Sequence, residues 1–380
     1  MAAKKKGESV DRLAAIASVA RRFSAFQPAS EVFTAVKSVQ TIFPQFDVAT
    51  KVGGFPIERV SLIHGPSNEG KTAFAIGVGK SFLVKDHFFG FVDAEFSTPV
   101  TWLNMLMGNY VNHPGFVAMH PTSFEKTRDS VKEFLETIAE AKDKGDIDKD
   151  TSALVVVDSI RKLVPERLMD ALKKDAEKVG LDGMSGRGAQ YKAALLAQWL
   201  DELVPLIYHT NSGILLITRE TEKPNAGPYE QQYVIAGGKA PIYESSIAAR
   251  ISRNFIKEAD EVVGERHTVR IWKTKIGSKE GKYVDGHFHT SNGASSPAGF
   301  DISRDILEMA VDCGIINKKS GKHWFTRANT GFGEGEVFAD SEAEAIKFLR
   351  ELPAEKLYSL ETLVRNEYVP QEHDISEQGR

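Results

Sequence analysis

Cysteine is almost missing from this chain: its 380 residues contain one, Cys313. No intramolecular disulfide can form, which excludes a disulfide-stapled secreted fold and any all-cysteine metal site. A reducing cytosol is the expected compartment. Long apolar runs are missing too. None approaches the roughly 18 residues a membrane span needs, and the start, Met1-Ala2-Ala3-Lys4-Lys5-Lys6, leads into a charged amphipathic stretch instead of an apolar signal core. No export signal and no membrane partner are expected. A large charge of one sign is also absent, because 48 basic and 52 acidic residues leave a net charge of −4, which announces no polyanionic partner by itself. Glycine and proline, at 31 and 15 residues, are ordinary, so a collagen-like repeat and wholesale disorder fall away.

What is present is a chain long enough for about two or three domains. Residues 334–380 hold 12 acidic and 5 basic side chains, so a mildly basic body ends in an acid-rich tail, either a solvated, partly helical terminus or a regulatory element. Leu13, Ile16, Ala17, Ala20 and Phe23 recur at helical spacing within residues 9–26, which predicts a short amphipathic helix ending by Pro28. Short, nearly continuous apolar runs follow at Val60–His64, Phe88–Asp93, Leu154–Asp158 and Ile214–Thr218. Strands of this kind are covered on both faces, and each is separated from the next by enough chain for a crossover helix. A parallel α/β sheet is expected, extended by antiparallel strands near His267–Lys275 and Tyr283–Thr290. Beyond it the pattern predicts a helix over 301–312, a hairpin over Gly314–Phe325 and helices over Ser341–Leu352 and Leu357–Tyr368, parted by Pro353. The division expected is 1–40 for an N-terminal oligomerisation helix and linker, 41–300 for the core, and 301–380 for a small α+β module with the acidic tail.

Gly65-Pro66-Ser67-Asn68-Glu69-Gly70-Lys71-Thr72 fits GxxxxGK[ST] in full, between a predicted strand and a predicted helix. The spacing suits phosphate: backbone N–H groups converge at the positive end of a helix, glycines let the main chain approach, and Lys71 adds a cation. Thr72 would give its hydroxyl to Mg²⁺. Two acids end strands where open parallel sheets hold their ligands. Asp158 closes Leu154-Val155-Val156-Val157-Asp158 in the manner of a Walker B acid that orders the Mg²⁺ shell; the plain alternative is a cap on the next turn. Glu95, in Phe91-Val92-Asp93-Ala94-Glu95, stands where a general base would poise the attacking water.

The order of these motifs resembles the RecA family of DNA strand-exchange recombinases from about residue 40 to residue 335. The likeness is carried by Gly53-Gly54-Phe55-Pro56, Gly65 to Thr72, Phe91 to Glu95, Val155 to Ser159, Gly237-Gly238 and Lys273-Thr274-Lys275-Ile276. The resemblance implies a RecA-like P-loop ATPase core, ATP and Mg²⁺ as cofactors, and a helical homo-filament on single-stranded DNA that pairs with homologous duplex DNA. It implies further that loading or single-strand-binding proteins act beside it, and that the N-terminal helix docks on the next subunit. It puts two DNA loops near 165–190 and 220–240. Arg187 and Lys192 lie in an acid-free, glycine-bearing segment suited to phosphates, or to a helix start. Gly237 and Gly238 match the family's glycine pair, and Lys239 adds a charge; Tyr229 and Tyr233 could stack on bases or be idle loop residues. Lys273 and Lys275 share one face of a strand, where they either guard an edge or, by resemblance, cross to the neighbour's γ-phosphate.

The chain departs from the pattern at Ile217-Thr218-Arg219-Glu220, where the family keeps a nucleotide-sensing glutamine. Arg219 either contacts the γ-phosphate or pairs with Glu220. A diverged member, for example one encoded by a virus, would carry such changes. The readings from other classes are a hexameric helicase or motor, a RecA-like ATPase without strand exchange, and a DNA-coating protein with a structural nucleotide. Phe26-Gln27-Pro28-Ala29 resembles the FxxA handle of other recombinases, a match expected by chance among 22 phenylalanines. His287 and His289 alternate on a strand with no second pair nearby, which argues against a metal site.

Overall fold

A computed structural model describes residues 16, 18, 19, 22, 35–174, 186–222, 233–258, 260–277, 284–294, 296–326 and 331–368. Residues 1–36 and 37–380 form two units. Within the first, Ile16, Ser18 and Val19 are helical, and the rest of the expected 9–26 helix lies outside the described residues.

The larger unit is built on a nine-stranded sheet whose strands are numbered along the chain: β1 Val60–His64, β2 Phe88–Asp93, β3 Phe116–Met119, β4 Ala153–Asp158, β5 Ser212–Ile217, β6 Ile247–Glu258, β7 Glu261–Thr274, β8 Val284–Ser291 and β9 Gly299–Phe300. Across the sheet they run β9-β8-β7-β6-β1-β5-β4-β2-β3. The six from β6 to β3 are mutually parallel, and β7, β8 and β9 continue antiparallel beyond β6. The α/β fold read from the sequence is the fold found.

The apolar runs became strands because helices cover them. Phe124–Lys144 starts at Ser123, whose hydroxyl accepts the Lys126 N–H at 3.0 Å, and ends at Gly145 in the left-handed region. Its Val131, Leu135 and Ile138 recur on one face and meet Leu196, Trp199, Leu200 and Leu203 of Gly186–His209. Both helices close over Val155, Val157, Ile214 and Leu216 of the sheet. Three strands of this sheet escaped the sequence reading, the two-residue β9 among them. β3 is a four-residue edge with Val117 exposed. β6 is buried on both faces only at Ile247, Ala248 and Ala249, and its later polar residues break the apolar run.

The C-terminal part contains Ile302–Asp312, capped by Asp301, and the expected hairpin Ile316–Lys319 with Lys322–Phe325; the unread strand Val337–Ala339 pairs with the latter. Helices Glu342–Glu351 and Ala354–Tyr368 follow on either side of Pro353. Ala345, Ile346, Leu349, Leu360 and Val364 join Ile306, Ala310, Ile316 and Phe325 in one apolar cluster, and Cys313 packs at its side. Arg365 donates to Asp47 at 2.5 Å and to the Thr41 carbonyl at 2.9 Å. The acid-rich stretch is thus a helical terminus with a packed face as far as residue 368. A cut near residue 338 would remove apolar core as well as charge.

Candidate functional site

Strand register brings the separate motifs together. Ile217 of β5 lies opposite Ile63 on one side and Asp158 on the other, and Asp158 lies opposite Asp93. The segments after β1, β5, β4 and β2 therefore leave the same end of the sheet. β1 runs into the Gly65–Thr72 loop, which delivers the chain to the helix Lys71–Leu83. Gly65 has φ +151°, and a Cβ there would lie 2.4 Å from the Ile251 carbonyl oxygen; Gly70, at φ +93°, would strike His267. Only glycine suits either position. The loop is held from outside by the Arg253 N–H, which donates to the Glu69 carboxylate at 2.6 Å, and by His267, 3.1 Å from the Glu69 carbonyl.

Lys71 is buried and donates to the Pro66 carbonyl within the loop. Burial lowers its pKa, with Asp158 opposing. Thr72 donates to Asp158 at 2.5 Å. Burial raises the Asp158 carboxyl to about 6, against the pull of the Thr72 hydrogen bond and with help from Glu95 and Asp93. Asp93 accepts the N–H groups of Glu95, Ser97 and Thr98 at 3.2, 3.4 and 3.2 Å, so it shapes the turn that presents Glu95.

Both oxygens of Glu95 are taken. Ser159 donates to Oε1 at 2.9 Å and Arg219 to Oε2 at 2.5 Å. Burial would raise this carboxyl, but the two hydrogen bonds outweigh it and hold the pKa below the ordinary value. Arg219 also donates to Ser67 of the loop at 3.1 Å. Of the two alternatives read for Arg219, the pairing with Glu220 is not the one found. Successive residues of an extended segment point to opposite sides, and Glu220 instead meets His64 at 2.8 Å and Arg250 at 2.8 Å. Ser159 was missed as a site residue, although its place just after the strand-end acid was a usable signal. Ser67, Lys71, Thr72, Glu95, Asp158 and Arg219 line one cleft of about 980 Å³, with Trp102, His267 and Asn292 on its other walls.

The other candidates lie elsewhere. Lys273 donates to the carbonyls of Ile242, Tyr243 and Ser245, the last two at 3.1 and 2.8 Å, and Lys275 to Tyr243 at 2.5 Å. Both cap the end of the short helix Ala240–Glu244. β7 pairs with β6 as far as Thr274 but with β8 only as far as Ile271, so both lysines stand beyond the last described pairing with β8. The loop expected near 165–190 is helical at Glu166–Lys174 and again from Gly186, and 175–185 lie outside the described residues. Arg187 sits in the first turn of the Gly186–His209 helix. Lys192 donates to the Arg161 carbonyl at 2.6 Å, and burial, with the Arg161 charge, lowers its pKa to about 8. It is an engaged cation within a helix, in line with the helix start that is the alternative reading of this segment. Of 220–240, Glu220–Glu222 pairs with Tyr233–Ile235 as a hairpin. Residues 223–232, Tyr229 among them, lie outside the described residues. Gly237 and Gly238 turn with φ +105° and +80°, and the exposed Lys239 follows. Tyr233 lies against Arg250, 5.5 Å from guanidinium to ring centre.

Comparison with known proteins agrees with this arrangement. The family model for the RecA N-terminal domain matches residues 14–285, a span that takes in every strand-end residue just described. A protein named RecA from Chlorobaculum parvum is 31% identical over 301 residues, covering 79% of this chain and 76% of its own. Another from Bordetella petrii is 28% identical over 327 residues, covering 86% and 81%. A third, from Corynebacterium urealyticum, is 29% identical over 308 residues, covering 81% and 72%. On the length of the family match and the likeness to these relatives, the chain belongs to the RecA family.

Proposed function

We propose that this chain is a DNA-dependent ATPase that assembles as a helical filament on single-stranded DNA, pairs it with homologous duplex and exchanges strands. The observation that carries the reading is the convergence of Lys71, Thr72, Asp158, Glu95 and Arg219 on one cleft in a chain of this family. ATP and Mg²⁺ fit the residues present: a glycine cradle at Gly65 and Gly70, a buried ammonium at Lys71, and a buried carboxylate beside a hydroxyl, the hard-oxygen pair that Mg²⁺ favours. Mg²⁺ held by Thr72 and Asp158 would supply charge neutralisation on the phosphates.

In this reading the loop amides of Gly65 to Thr72 and Lys71 seat the triphosphate. Glu95 takes the proton of the attacking water as its oxygen bonds to the terminal phosphorus and the bond to ADP breaks. Arg219 must give up one Glu95 oxygen first, and its contact with Ser67 leaves it beside the phosphates it then serves. Gly237, Gly238 and Lys239 contact the DNA backbone, with Arg187 and Lys192 on the adjoining helix in a lesser part. Lys273 and Lys275 serve the neighbouring protomer's site. Electron microscopy with ATP and single-stranded DNA tests the assembly. Helical filaments are expected, whereas closed rings would favour a motor.

The raised Asp158 pKa gives a pH dependence. A carboxyl whose folded pKa, about 6, lies above its unfolded value contributes stability that is present in acid and lost as pH rises through 6. Mg²⁺ binds the ionised form and offsets that loss. The rise in melting temperature produced by Mg²⁺ should therefore grow between about pH 5 and pH 7 in the wild type, and Asp158→Asn should show no such growth in thermal unfolding at matched ionic strength.

A further inference from the structure

His64 is fully buried, ends β1 and is bonded directly to Gly65. Both of its ring nitrogens are engaged. Trp272 Nε1 lies 2.5 Å from Nε2, and Glu220 Oε1 lies 2.8 Å from Nδ1. An indole N–H can only donate. Nε2 must therefore accept, Nδ1 must carry the proton, and the ring is neutral with one tautomer. Glu220 accepts from Nδ1–H and also from Arg250, at 2.8 and 3.1 Å. Burial would raise the Glu220 carboxyl, but the hydrogen bonds from His64 and Arg250 prevail and keep it below the ordinary value. A second tie runs beside the first, from the Glu220 N–H to the Gly65 carbonyl at 3.3 Å.

These four side chains stand on elements with different duties. His64 carries the Gly65–Thr72 loop. Glu220 begins the hairpin that leads to and from residues 223–232. Trp272 precedes Lys273 on β7. Arg250 belongs to β6, and the Tyr233 ring of the returning hairpin arm lies over it. We propose that His64 is a positioning residue that couples the nucleotide loop to the DNA-contacting hairpin and to the strand bearing Lys273 and Lys275, an inference that rests on the function proposed above.

The physical reason is that the His64 ring is fully buried, although Trp272 is itself 36% exposed, so a ring nitrogen that loses its partner is left unsatisfied. A displacement of the β1 end must either break a hydrogen bond of the buried ring or carry Trp272 and Glu220 with it. A ligand on the loop and DNA on the hairpin then bias the same arrangement, which is what a coupling free energy between two sites requires.

The test is a measurement of coupling. The affinity for a fluorescent oligo-dT strand is determined with and without Mg²⁺ and the β,γ-imido analogue of ATP, for the wild type, His64→Phe, His64→Gln and Trp272→Phe. Wild-type affinity should differ between the two conditions by a factor within the roughly 5- to 150-fold range typical of coupled sites. His64→Phe and Trp272→Phe should bring that factor close to one while DNA affinity without nucleotide changes less than about twofold. His64→Gln, whose amide can still accept from Trp272 and donate to Glu220, should recover part of it. A wild-type factor near one, or no binding of DNA or nucleotide, would defeat the proposed function and this inference with it. Strong wild-type coupling that persists in His64→Phe would overturn the role of His64 alone. If His64→Phe does not fold, Trp272→Phe decides by the same criterion from the other end of the hydrogen bond.

Discussion

Glu95→Gln should leave nucleotide binding intact and lower DNA-stimulated ATP turnover by at least about 100-fold, the size of effect that follows loss of a positioned general base. The amide keeps the shape and can still accept from Ser159 at Oε1, so the turn shaped by Asp93 should survive. It cannot take a proton from water at neutral pH. Arg219 loses an anionic partner by the change and remains beside Ser67, so affinity for ATP should not fall. Lys71→Ala, by contrast, should weaken nucleotide binding itself and block assembly. Steady-state hydrolysis with saturating single-stranded DNA, together with equilibrium binding of a non-hydrolysable analogue, separates the two. Unchanged turnover in Glu95→Gln would remove this carboxylate from the chemistry.

The second large effect is expected from mixing two inactive proteins. Lys273 and Lys275 lie outside the lining of the cleft that holds Glu95, and both donate to carbonyls at the end of Ala240–Glu244. If they reach the next protomer's terminal phosphate, hydrolysis is negligible in monomers and rises with DNA length, as for a charge supplied in trans. A Lys273→Ala/Lys275→Ala protein retains Glu95 and lacks the lysines, while a Glu95→Gln protein retains the lysines and lacks the base. Mixed on one DNA, they should recover hydrolysis well above the sum of the two alone, because some junctions combine an intact base with intact lysines. The substitutions also uncap the short helix, so co-assembly must be verified by light scattering or microscopy. Co-assembly without recovery would return the lysines to a purely structural part as helix caps.

Much of this was legible in the sequence because it depends on local pattern. Continuous apolar runs such as Val155 to Val157 gave buried strands, and the glycine spacing at Gly65 and Gly70 gave the loop and the start of its helix. Strand-end acids gave Asp158 and Glu95. Three kinds of feature were hidden. β3 is a short edge, and β6 pairs centrally although polar residues interrupt it; their pairing, not their composition, defines them. The partners of Arg219 were hidden because Glu95 and Ser67 are far away in sequence, and the only neighbour visible there was Glu220. Lys192 looked free because a local reading cannot see the Arg161 carbonyl that it meets across the fold.

The two ends of the sheet bear on how copies of this chain can join. A long strand with open amides invites another chain to pair with it, the route to fibrillar aggregation. At one edge β3 offers four residues, and at the other β9 offers two. β9 covers only Thr290 and Ser291 of β8, which would leave the earlier part of that strand open. There the helix Pro44–Thr50 closes in: Gln45 Oε1 accepts the His287 N–H at 3.0 Å, and the Phe46 backbone comes so near Gly286 that a Cβ there would lie 2.8 Å from it. Glycine at 286 is what allows this lid over the strand. Among the described residues, then, the open amides on which a further strand could pair are few: four residues at β3, and at the other margin the two of β9.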